Sequence, residues 1–117
     1  MFTKKPWYYF DGEAIQVPAE NGKTKLRPDV WTIPTSKYKG AHFATFPNEL
    51  IEPCILAGSR LGDVVLDPFM GSGTTARVAK SLGRRWIGCE LNPDYVSLQN
   101  ERTRQNGLAF DKEEVTA

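Results

Sequence analysis

Apolar and polar positions follow one pattern before Pro47 and another after it. In the first part, Trp7 to Phe10 is followed by Asp11-Gly12 and then by Glu13 to Val17. Asp-Gly between apolar runs is a turn signal, because both central residues of the favoured hairpin turn take positive φ. This spacing predicts a hairpin about Asp11-Gly12, and Asn21-Gly22 offers a second turn of the same kind. Residues 26–46 carry Pro28, Pro34 and Gly40 and read as irregular or extended. Residues 1–40 are therefore expected to be a small β-rich arm.

From Pro47 the pattern becomes that of alternating helices and buried strands. Leu50, Ile51, Cys54 and Ile55 form a helical stripe, with Pro47 suited to the first turn. Pro53 falls inside that stripe and predicts a kink or a later start. "DVVLD", residues 63–67, is a short continuous apolar run, as in a parallel strand covered on both faces. Residues 74–83 read as a helix ended by Gly83, and "RRWIGCE" as a second buried strand. Pro93 to Gln105 reads as a helix, with Asn92 as its cap and Pro93 in its first position. Residues 109–117 are charged and are expected to be a flexible tail. The order helix, strand, glycine loop, helix, strand, helix specifies an α/β winding over residues 41–108. It supplies only two parallel strands, where such a sheet is normally wider.

The chain has 117 residues, enough for one small domain, and carries 15 Lys and Arg against 14 Asp and Glu. That balance argues neither for nor against nucleic acid, but it is uneven. Residues 1–40 hold seven basic and four acidic side chains, a net of +3, and nine of the 13 aromatics lie in residues 1–46. Lys4, Lys5, Lys23, Lys25, Arg27, Lys37 and Lys39 among those aromatics could track a nucleic-acid backbone. The alternative expectation is that the aromatics form the arm's own core and the lysines a solvated face. Cys54 and Cys89 are far apart in apolar company and read as buried thiols of a reducing compartment. With a single His, a zinc site is not expected. No apolar run approaches the ~18 residues that a membrane helix needs. The start lacks the apolar core of a signal peptide, so a cytoplasmic location is the expectation.

The chemistry centres on "LDPFMGSGTT", residues 66–75, a glycine-rich loop between a strand and a helix. A triphosphate-binding loop would need a Lys after its last glycine, and Thr74 stands there instead. A dinucleotide loop fits better. Gly71 to Ala76 matches G-x-G-x-x-A, and Glu90 lies at about the ~20-residue spacing of a ribose-binding acid. Against it stands Asp67, whose carboxylate beside the loop would repel a pyrophosphate. A ligand with positive charge and no phosphate suits the site better, and S-adenosylmethionine is such a ligand. Gly71 and Gly73 would let the backbone approach it closely. Asp67 would face its ammonium, Glu90 would accept its ribose hydroxyls, and Phe69 and Leu91 would flank the adenine.

"DPFMGSGTT" followed by "GRRWIGCELNPDYV" resembles the cofactor half of the DNA amino-methyltransferases, which methylate adenine N6 or cytosine N4. Residues 29–63, "DVWTIPTSKYKGAHFATFPNELIEPCILAGSRLGD", look like the segment preceding that loop in the permuted, β-type members. The resemblance covers about residues 29–105. It implies a partial Rossmann-like, S-adenosylmethionine-dependent methyltransferase fold, with the arm as a remnant of a target-recognition region. It further implies a cofactor site made of His42, Phe43, Asp67, Phe69, Gly71, Ser72, Gly73, Thr74, Glu90 and Leu91. His42 and Phe43 would lie at the methionine end, although His42 is equally readable as a turn residue bonded to backbone.

The family's chemistry also needs an Asp, Asn or Ser followed by Pro-Pro and an aromatic residue, which stacks on a flipped base. This chain has no Pro-Pro. Asn92-Pro93-Asp94-Tyr95 has an acid in place of the second proline and is explained by helix capping. The chain thus reads as a carboxy-terminal, cofactor-binding portion that is inactive alone. It would have an open apolar strand edge and would pair with a complementary catalytic chain or with itself. DNA would be engaged in the complete assembly. The alternative is a non-catalytic cofactor-binding or interaction remnant that docks on a methyltransferase chain.

Overall fold

The computed structural model describes Lys4, residues 6–34 and residues 46–114, with side chains described as far as Arg104. In the arm, the hairpin forms at Asn21-Gly22 and not at Asp11-Gly12. Strands β1 (Val17–Pro18) and β2 (Thr24–Lys25) pair antiparallel, Val17 opposite Lys25. Gly22 takes φ +75°, and the Asn21 side chain accepts the Lys23 N–H at 3.1 Å. At the other site Gly12 has right-handed helical φ and ψ (−72°, −24°). Asp11 Oδ1 accepts the N–H groups of Glu13 and Ala14, each at 3.1 Å, and starts a 3-10 turn over Glu13–Ile15. A local side-chain cap has displaced the hairpin.

Among the described residues, the arm's aromatics do not make a core. Trp7 is 89% exposed, and Tyr8 and Phe10 are exposed as well. Tyr9 instead lies under the Arg60 guanidinium, 4.5 Å from its ring centroid, and Arg27 lies over Trp31 at 5.0 Å. The arm is tied to the rest of the chain by the Asp11 N–H, which donates to the Ala57 carbonyl at 2.9 Å.

Helix α1 spans Asn48–Gly58 with Pro47 as its cap residue. Pro53 neither delays nor ends it. Its missing N–H deprives only the carbonyl of Glu49, four residues earlier on an exposed turn where water can replace the bond. Pro53 is itself buried. Strand β3 (Val64–Asp67), helix α2 (Thr74–Ser81) and strand β4 (Arg85–Gly88) then form a parallel β-α-β unit. The register pairs Val64 with Arg85 and Asp67 with Gly88. Helix α2 is the most enclosed element, with Thr74, Thr75, Ala76, Val78 and Ala79 all buried. Ile55 of α1 meets Val78 and Ala79 there, and Val65 and Trp86 cover them from the sheet. Burying each large aliphatic side chain in this cluster contributes roughly 1.5–3 kcal/mol.

Helix α2 ends at Leu82 and Gly83, with Gly83 at φ +72°. The Arg84 N–H donates to the Ala79 carbonyl at 2.8 Å and the Gly83 N–H to Lys80 at 3.0 Å, which closes the helix end in a Schellman motif. Helix α3 runs over Asp94–Glu114, past the expected end at Gln105 and through most of the expected tail. Asn92 caps it, its side chain accepting the Asp94 N–H at 3.0 Å.

The strands are not covered on both faces. Val65 and Trp86 look toward the helices, while Leu66 is 64% and Ile87 56% exposed on the opposite face. Alternation along a strand puts Val64, Leu66 and Ile87 together on that bare side. Cys54 and Cys89, expected inside, are both exposed free thiols. No helix among the described residues is long and apolar enough to cross a membrane.

Candidate functional site

The carboxyl ends of β3 and β4 lie side by side, so the loop after β3 and the turn after β4 are neighbours. Hydrogen bonds continue past the strands. The Cys89 N–H donates to the Asp67 carbonyl and the Met70 N–H to the Cys89 carbonyl, both at 2.9 Å. Met70 is buried and sits directly on Gly88; a Cβ at Gly88 would fall 1.7 Å from the Met70 methyl carbon. This seat fixes where the loop leaves the sheet. A glycine inside an apolar strand was the available signal for it.

Asp67 ends β3, and its Oδ1 accepts the Phe69 N–H at 3.0 Å, which turns the chain into the loop. Gly71 and Gly73 both take left-handed φ, +51° and +83°. A Cβ on Gly71 would meet nothing within 4 Å, so this part of the loop faces open space. A Cβ on Gly73 would press on Gln99 of α3, 3.2 Å from its Cγ. Glu90 binds across the site. Its Oε2 accepts the Gly71 N–H at 2.7 Å and its Oε1 the Asn92 N–H at 2.9 Å. These backbone donors, Asn92 foremost and then Gly71 and Leu91, hold the Glu90 carboxyl below its ordinary pKa; desolvation and the charge of Asp67 act the other way. Two bonds leave the carboxylate with lone pairs for further donors.

Phe69 and Leu91 flank a cleft of about 330 Å³, with Pro68, Cys89 and Glu90 completing its walls. Phe69 is 87% exposed, so its ring is open to a ligand. The structure therefore brings Asp67, Phe69, Gly71, Glu90 and Leu91 to one end of the sheet. Ser72 and Thr74 belong to the same loop, but their hydroxyls accept from Arg102 of α3, and Thr74 is buried. His42 and Phe43 lie outside the described residues. A separate cavity of about 380 Å³ lies between the arm and α1, lined by Arg27, Glu49, Glu52 and apolar neighbours, and shares no residue with the loop. Gln99 and Arg102 were not singled out in the sequence, because a polar residue on a helix gives no sign of which loop it meets. Among the described residues no group of three or more His, Cys, Asp or Glu side chains is placed to hold a metal ion.

Comparison with known proteins agrees with this geometry. Residues 1–101 match the model of a DNA methylase family of the N6/N4 type. The type II methyltransferase M.XycI of Xanthomonas campestris pv. cyanopsidis is 49% identical over 102 residues, covering 87% of this chain and 34% of that protein. Among solved structures, the M1.HpyAVI–SAM complex superposes with a TM-score of 0.61 at 34% identity, over 85% of this chain and 45% of that one. The cytosine-N4-specific PvuII DNA methyltransferase gives 0.69 at 28% identity, over 86% and 37%. The chain spans about a third of the length of the curated relatives it matches (34–36%). The chain therefore belongs to the DNA methylase family of the N6/N4 type.

Proposed function

We propose that this chain is the S-adenosylmethionine-binding portion of a DNA methyltransferase that methylates an exocyclic base amino group. The observation that carries the reading is the pair of carboxylates, Asp67 and Glu90, on either side of an open glycine loop, with Gly71 N–H already held by Glu90. A pyrophosphate would need that N–H and would meet two negative charges. A cationic ligand with a ribose suits the same groups: Asp67 would take the ammonium, and Glu90 the two ribose hydroxyls through its remaining lone pairs. Phe69 and Leu91 would enclose the adenine. Gly71 and Gly73 would shape the path of the backbone, and Ser72 and Thr74 would contribute as parts of that loop. His42 and Phe43 would serve the methionine end.

Bound S-adenosylmethionine supplies an electrophilic methyl group; this chain's residues bind and orient. The groups that would hold the target base are not among its motifs, since it contains no Pro-Pro. We assign them to a complementary chain or segment, and assign DNA contact to the complete assembly. The bare face of Val64, Leu66 and Ile87 supports this, because it leaves apolar surface where further layers would pack.

Calorimetric titration with S-adenosylmethionine tests the reading. Saturable binding is expected for the unaltered chain, and loss of binding for folded Asp67→Ala and Glu90→Ala. A folded chain that shows no binding, or variants that bind as well as the parent, would overturn the assignment of this loop as the cofactor site.

A further inference from the structure

We propose that Gln99 and Arg102 of α3 are positioning residues for the cofactor loop, setting the backbone of residues 71–74 without touching the ligand. The proposal rests on the reading of that loop as an S-adenosylmethionine site. Three residues apart, the two side chains lie on one face of α3. Gln99 Nε2 donates to the Gly71 carbonyl at 2.7 Å. Gly71 is therefore gripped at both polar groups, its N–H by Glu90 and its carbonyl by Gln99. The same Gln99 backs directly against Gly73. Arg102 Nη1 donates to the Ser72 carbonyl at 3.1 Å, to the Ser72 hydroxyl, and to the buried Thr74 hydroxyl at 3.2 Å. One cation thus satisfies three oxygens at the start of α2, where an unmet buried hydroxyl would be costly.

The arrangement forms a closed circuit. Glu90, the residue offered to the ribose, leads through Asn92 into α3, and α3 returns to the loop at Gln99 and Arg102. Lys80 of α2 donates to the Thr103 carbonyl at 2.8 Å and fixes the register of the two helices. Any shift of α3 would move the Gly71 carbonyl and the Glu90 carboxylate together. Ligand affinity is accordingly sensitive to residues on the side of the loop away from the ligand.

Two measurements on the full chain test this: titration with S-adenosylmethionine, and amide hydrogen exchange of residues 70–74 without ligand. Gln99→Met keeps the methylenes against Gly73 and removes the donor. Arg102→Met removes the cation, and Arg102→Lys returns one donor. Gln99→Met is expected to weaken binding about three- to tenfold, the scale of one lost hydrogen bond, and Arg102→Met, which removes three, at least as much. Exchange at Gly71 and Gly73 should quicken, and Arg102→Lys should recover part of both effects. Folded variants with parental affinity and exchange would overturn the proposal. So would weakened binding with unchanged loop exchange, which would mean direct contact with the ligand. If the unaltered chain binds nothing, the cofactor reading fails, and the exchange data alone still decide whether α3 sets the loop.

Discussion

Glu90 shows how much a single side chain can decide. Its carboxyl is held below the ordinary carboxylate range by backbone N–H groups that exist only in the folded loop. The group therefore adds stability above the unfolded pKa of about 4.5, and that contribution is lost as the pH falls through the lower folded value. Amide exchange at Gly71 is expected to be pH-independent, after correction for intrinsic rates, at neutral pH and to accelerate below about 4.5. Glu90→Gln should abolish that acid transition, and a transition that survives the substitution would assign it to another group. The sequence marked Asp67 and Glu90 because each follows an apolar strand at a spacing that brings strand ends together. It marks the Met70–Gly88 seat only through the glycine inside β4, and the Gln99 and Arg102 contacts not at all. Those depend on which surface a helix presents after folding, and no local pattern encodes that.

The parallel unit and α3 were legible because their signals are local: continuous apolar runs, a capping Asn92 and an ending Gly83. Gly83 is the most testable of these signals. At φ +72° an added Cβ is strained, so Gly83→Ala should destabilise the chain by about 1–2 kcal/mol, read as a lowered denaturation midpoint. The nearest obstacle to that Cβ is the tip of Leu61 at 3.0 Å, a flexible contact, so the cost is expected to come from the backbone. An unchanged midpoint would show that the Schellman end is not maintained. Among the expectations that the structure corrects, two have a plain local reason. Asp11-Gly12 has the composition of a hairpin turn, but Asp11 serves as well as a cap and does so here. Pro53 predicts a kink or a later start, but the helix starts ahead of it at Asn48, since one lost bond on an exposed turn is affordable where the ring is buried.

Over the described residues the molecule is one-sided. Helices cover one face of a two-stranded parallel sheet, and the other face carries Val64, Leu66 and Ile87 in the open. The two apolar runs predicted this face to be covered, and in the larger relatives there is chain enough to do so. Sedimentation of the chain alone is expected to show association that grows with concentration. Leu66→Lys, a charge in the middle of that face, should reduce it. A strictly monomeric parent at high concentration would count against the bare face as a contact surface.

The β3-α2-β4 unit also has a kinetic consequence. Its two parallel strands pair across a crossover that contains α2, the helix packs on one face of the pair, and Met70 closes onto Gly88 across the same crossover. Parallel pairing has to close that crossover first and is slow for this reason. The loop conformation also waits on Gln99 and Arg102 of α3, and coverage of the bare sheet face comes later still. Until that coverage comes, a chain with a finished loop still exposes the surface on which aggregation begins.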